Sequence, residues 1–181
     1  MMKDYYRLTE FQKNNISQNL IDILDKDTSP SAETVTFICN WILTDRSEKF
    51  KAYYDVWDTV LKNFYPKGRP VLIRSISRKS RHEYIASFTK SAYAAERFGE
   101  RKGYWIICDT KDALISDVPI RTPGSYRSTF YPLSDVLKKA KENGGWGFSE
   151  RFLNTYSRED EYIMKIDFSF MYLLKYIDHN Y

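Results

Sequence analysis

The chain changes its periodicity once, at Pro66-Lys67-Gly68-Arg69-Pro70, and that switch limits the folds open to it. Before the break, apolar residues recur at helical spacing; after it, short apolar runs read as strands. Leu20, Ile21, Ile23 and Leu24 form one helical stripe. Ser29 followed by Pro30 supplies a cap and a first helical position ahead of residues 35–43. Asp45 and Glu48 stand at capping-box spacing before a third stripe of Phe50, Tyr53, Trp57, Val60, Leu61 and Phe64, which reads as core. Beyond the break, residues 71–76, 84–89, 104–108 and 162–166 are the best strands, with 168–176 closing the sheet. A short helix over 91–98 ends at Gly99, and another is capped by Ser134 and runs through Val136, Leu137 and Ala140 to Gly144. Residues 112–131, with Pro119, Pro123 and Gly124, read as a long loop holding at most one short strand. The pattern predicts an α+β protein: a helical N-terminal segment, residues 1–66, packed on a mostly antiparallel core, residues 67–181.

Composition narrows the chemistry. At 181 residues, with 43% hydrophobic and 29% charged residues, the chain fits one soluble globular domain, or one domain with a small appendage. No apolar run approaches a membrane span, and the stretch from Met1 to Arg7 lacks the apolar heart of a secretion signal, so a cytoplasmic protein is expected. Cys39 and Cys108 sit in apolar contexts and read as buried thiols, with a disulfide as the alternative. Only two histidines are present, His82 and His179, with no Cys/His cluster, which argues against a zinc site or a serine–histidine triad. Gly144-Gly145-Trp146-Gly147 follows a helix instead of opening one, so it is neither a P-loop nor a dinucleotide fingerprint. The net charge of +4 is compatible with an anionic ligand without requiring nucleic acid.

Three short segments carry candidate chemistry. Tyr156-Ser157-Arg158-Glu159-Asp160-Glu161 runs directly into a strand. Side chains alternate along a strand, so Glu159 and Glu161 are expected on one face with Asp160 pointing opposite. Two like charges held close are costly unless they serve a cationic target or divided roles; the alternative is an acidic strand entry facing water. Arg74 lies inside the apolar strand pattern of residues 71–76, where an arginine is rare unless it is paired or holds an anion. Ser87 and Thr89 place hydroxyls on one face of the next strand. The basic run through Arg78, Lys79, Arg81 and His82 reads first as a solvated loop, and secondarily as a phosphate or nucleic-acid contact.

Arginine on a strand, Ser-x-Thr on a second strand and then Glu-x-Glu, in that order, resembles the arginine–serine–glutamate class of mono-ADP-ribosyltransferases, the cholera-toxin-like enzymes. The spans around Arg74, Ser87 and Glu161 look most like the small transferases of T-even bacteriophages. The resemblance covers about the last two-thirds of the chain. It implies a split-sheet ADP-ribosyltransferase-like fold and transfer of ADP-ribose from NAD to a target-protein arginine, with release of nicotinamide and no metal. Glu161 matches the glutamate that bonds the ribose and stabilises the cation, and Glu159 the acidic position that handles an arginine acceptor. Arg74 and Ser87 match residues at the NAD site, with Thr89 closing the second element, and Tyr156 the aromatic that meets the target. The family's Ser-Thr-Ser appears here as Ser87-Phe88-Thr89, so Phe88 is expected to face the core. The rival readings are an NAD glycohydrolase of the same fold and a non-catalytic nucleic-acid-binding module.

Overall fold

Helices start where a side chain can take up their first free N–H groups. A computed structural model of the protein describes residues 7–44, 51–77, 85–99, 103–111, 129–168 and 171–176. Its first helix, α1 (Glu10–Asp25), opens on a reciprocal capping box: Thr9 accepts from the Gln12 backbone, and the Gln12 side chain accepts from the Thr9 backbone. The cap of α2 (Ala32–Leu43) is Ser31, not Ser29. Ser31 Oγ accepts the Thr34 N–H, and its own backbone N–H is held by Asn19 of α1, which leaves Pro30 ahead of the helix. Helix α3 (Lys51–Asn63) buries Tyr53, Val56, Trp57, Val60 and Leu61. The Asp45/Glu48 pair and Phe50 lie outside the described residues.

Past the proline break come β1 (Val71–Ile76), β2 (Ile85–Thr89), α4 (Ala92–Gly99), β3 (Tyr104–Asp109), β4 (Phe130–Tyr131), α5 (Leu133–Glu142), α6 (Glu150–Tyr156), β5 (Glu161–Lys165) and β6 (Tyr172–Lys175). The strands form one antiparallel sheet in the order β4-β5-β2-β1-β3-β6. The α+β class and the antiparallel sheet are therefore as the pattern predicts. β4 falls at the end of the segment assigned to a loop. Ser134 does not cap α5: the cap position is Pro132 without a side-chain bond, and Ser134 is buried within the first turn. Helix α6 went unanticipated because seven residues with two buried positions, Phe152 and Leu153, carry too little periodicity to register.

Alternation along the strands gives the sheet two apolar faces. One face, with Ile85, Tyr131 and Ile163, packs against α1, α2, α3, α5 and α6 around Leu20, Trp41, Trp57 and Leu137. The other gathers Leu72, Phe88, Ile106, Cys108, Tyr162 and Met164. Phe88 thus faces a core, as expected. Tyr131 OH donates to the Leu20 carbonyl at 2.6 Å and Thr129 Oγ to the Leu61 carbonyl, so two loop-proximal polar groups tie the helices to β4. Cys108 is fully buried, and burial pushes its thiol up to about 12, with Asp109 and Asp167 adding to the shift. Cys39 is only half-buried, contrary to expectation, and both thiols are free.

Trp57 is the hinge of the first core. Its ring meets Phe37 at 5.3 Å, Trp41 at 5.6 Å and Tyr131 at 5.5 Å, joining α2, α3 and β4. Trp57→Ala is expected to lower the unfolding free energy by about 3–5 kcal/mol. Urea titration followed by far-UV circular dichroism measures this.

Candidate functional site

β1 pairs with β3 through six register positions and β2 with β5 through five, yet β1 and β2 share one, Ile73 opposite Thr89. Where those central strands diverge, a cleft of about 680 Å³ opens, within the range of small-molecule sites. Its walls come from the end of α2 (Trp41 to Leu43), β1 (Ile73 to Ser75), β2 (Ser87 to Thr89), α4 (Ala95, Phe98) and the segment from Thr155 to Glu161.

Strand register brings Glu161 into it. Thr89 lies directly opposite Glu161, and Ser87, two positions earlier, is its diagonal neighbour on the same face. Ser87 Oγ–H donates to Glu161 Oε1, and Trp41 Nε1–H donates to the same oxygen at 3.1 Å. Hydrogen bonds onto an ionised carboxylate are about twice as strong as neutral ones, so two of them fix this group firmly. Trp41 is itself immobile: it is 1% exposed and meets Tyr54 and Trp57 edge-on.

Arg74 shares the strand face of the buried Leu72 and Ile76 along β1, yet it also lines the cleft. Its Nη1 donates to the Ser87 carbonyl at 2.5 Å, so a side chain of β1 holds a backbone group of β2 where strand pairing stops. The arginine is a brace across the split. Its Nε–H is buried without a partner among the described residues, a cost that rigid surroundings must offset.

The Glu-x-Glu segment is not extended. Glu159 N–H bonds back to the Tyr156 carbonyl at 3.2 Å, Asp160 takes a left-handed φ of 47°, and β5 begins only at Glu161. The chain must reverse after α6 before it can pair with β2, and that reversal consumes Glu159 and Asp160. Strand alternation is therefore the wrong reason for grouping the two glutamates, although both line the cleft. Asp160 is directed instead to Lys138 of α5, at 3.1 Å. Thr89 locks the turn: its hydroxyl donates to the Glu159 carbonyl and accepts from Ser91 N–H, each at 3.0 Å. Both bonds are structural, so Thr89 shapes the cleft with its hydroxyl already engaged. Tyr156 ends α6; its half-buried ring rests 4.8 Å from that of Phe152 and lines the cleft.

Two residues were missed in the sequence. Trp41 was hidden in the apolar run of α2; the available signal was that a buried indole N–H needs an acceptor. Arg97 of α4 reaches Glu159 Oε1 at 2.8 Å, and nothing in its local sequence marks it. The helix that carries it is drawn onto β1 by Ser75 Oγ–H, which donates to the Ala95 carbonyl at 2.5 Å. Gly99 permits the approach, because a Cβ there would lie 2.5 Å from Ser75 Oγ. The basic residues Arg78, Lys79, Arg81 and His82 lie outside the described residues. Among the described residues no His, Cys, Asp and Glu group has the arrangement to hold a metal ion, and no helix is long and apolar enough to cross a membrane.

The chain matches no protein-family model, and comparison with curated proteins and with solved structures yields no match. The geometry has to speak through its own chemistry: a carboxylate fixed by two donors, a second carboxylate nearby, and a guanidinium at the wall.

Trp41→Phe keeps an aromatic ring but removes the donor to Glu161. Loss of a hydrogen bond to a charged group is expected to cost about 1.5–3 kcal/mol of stability. Denaturant titration of the variant beside Ser87→Ala, which removes the other donor, gives both values.

Proposed function

We propose that this protein cleaves NAD and transfers the ADP-ribose to an arginine of a target protein. The observation that carries the reading is the Glu161 carboxylate, held by Ser87 and Trp41 inside a cleft that also receives Glu159. Breaking the bond between ribose C1′ and nicotinamide sends the bonding electrons to nicotinamide and leaves positive charge on the ribose, as in glycoside cleavage. A carboxylate that is already fixed stabilises that charge without reorganising as it develops. In this reading Ser87 and Trp41 hold Glu161 in position. Arg74 braces the split and lends its charge to the diphosphate side of the cleft. Glu159 orients the incoming guanidinium and accepts its proton as the new bond to C1′ forms. Tyr156 borders the target's approach. The split antiparallel sheet, with the cleft at its parting, supports the ADP-ribosyltransferase-like fold that the sequence resemblance implies.

Hydrolysis of NAD, with water as acceptor, is a second reading. The Arg97–Glu159 ion pair favours it, because the carboxylate assigned to the acceptor is already engaged. Incubation with NAD and a cell lysate, followed by mass spectrometry for ADP-ribosylated arginine and by assay of free ADP-ribose, separates transfer from hydrolysis. Absence of nicotinamide release rejects both.

Two substitutions divide the roles. Glu161→Gln removes the charge at nearly constant shape and is expected to lower nicotinamide release by about 10²–10³ with the fold intact. Wild-type turnover in that variant would sink the mechanism. Glu159→Gln is expected to spare nicotinamide release while arginine transfer falls by about 10²–10⁴, the usual worth of a positioned proton acceptor. An equal fall in both activities places Glu159 on the donor side instead.

A further inference from the structure

The carboxylate assigned to the acceptor already holds a guanidinium. Arg97 Nη2 sits 2.8 Å from Glu159 Oε1, and the arginine side chain is 54% exposed against 20% for the glutamate. The pair is built into the fold. The Thr89 hydroxyl accepts the Ser91 N–H just ahead of α4 and donates to the Glu159 carbonyl, so one side chain sets both halves of the pair. Ser75 and Gly99 press the same helix onto β1. The guanidinium carbon also lies 4.9 Å from the centre of the Phe98 ring.

Building on the arginine-transfer reading, we infer that Arg97 is a resident competitor for the acceptor subsite and thereby selects among acceptors. An incoming arginine carries the same functional group and must take Glu159 from Arg97. Exposed ion pairs are weak, so the competition raises the KM of a free guanidine by about two- to fivefold, not by orders of magnitude. A small guanidine has nothing with which to offset that handicap. An arginine on a protein surface does, because Phe98 of α4, which lines the cleft, is 62% exposed and offers apolar contact to a neighbouring surface. Arg97 is therefore a specificity-determining residue: it favours arginines presented by a folded partner over free guanidines.

The test uses agmatine, a free guanidine acceptor, at saturating NAD, with agmatine labelling and nicotinamide release measured together. Arg97→Gln is expected to lower the KM for agmatine about two- to fivefold, with any change in kcat smaller than that. Arg97→Lys, which keeps a cation but not the two-pronged donor, is expected to fall between the two. A raised KM or a reduced kcat in a folded Arg97→Gln protein would show that Arg97 positions Glu159, and would overturn the inference while leaving the transferase intact. An unchanged KM overturns it likewise. Nicotinamide release with no labelling of agmatine by any of the three proteins removes the arginine reading itself, and absence of nicotinamide release removes the transferase reading; the inference falls with either.

Discussion

The parting of β1 from β2 is the constraint on which the rest of the molecule depends. In a continuous ladder each central strand would satisfy its neighbour's backbone and no cavity could form between them. Here the two share a single register position and then diverge, so backbone groups at the centre of the sheet need other partners. Arg74 supplies one by holding the Ser87 carbonyl. The edge of β2 that faces the parting is thereby left uncovered by β1 over most of its length. Both the cleft and its chemical character follow from this one interruption.

Helices then close what the sheet leaves open. α2 delivers Trp41 to the Glu161 carboxylate, and α4 delivers Arg97 to Glu159. Each contact crosses a long stretch of sequence, and each is anchored from behind: Trp41 by Trp57 and Tyr54, and α4 by Ser75 and Thr89. α2 is thus a structural part of the cleft as well as of the first core. Fixed donors around a carboxylate have most effect where their own mobility is already lost, and the aromatic packing of α2 provides that rigidity.

Much of this was legible in the chain, for identifiable reasons. The change of periodicity at residues 66–70 separated helices from strands because amphipathic stripes and strand runs differ in repeat. Ser87 and Thr89 were placed on one face, and Arg74 was singled out, from strand alternation and from the cost of a cation in an apolar run. Caps were harder. Ser31 and Ser29 are equivalent by residue type, and only Asn19, twelve positions away, decides between them. The Glu159–Glu161 segment was misread as extended because a strand pattern says nothing about where a turn must intervene; the left-handed Asp160 is set by the geometry between α6 and β5. Trp41 and Arg97 were invisible for a different reason. Their importance lies wholly in partners 120 and 62 residues distant.

The 120-residue separation between Trp41 and Glu161 also bears on the chain while it is being made. Ribosomes add about 5–20 residues per second, so α2 waits roughly 6–24 s for β5 to be synthesised. β2 is itself made part-way through that interval and then lacks β5 as its partner, and until the end the cleft lacks both glutamates. A nascent chain in this condition has no carboxylate pair to act on any ligand, however well its helices have formed. The two glutamates join the cleft together and late, when β5 takes its place between β2 and β4.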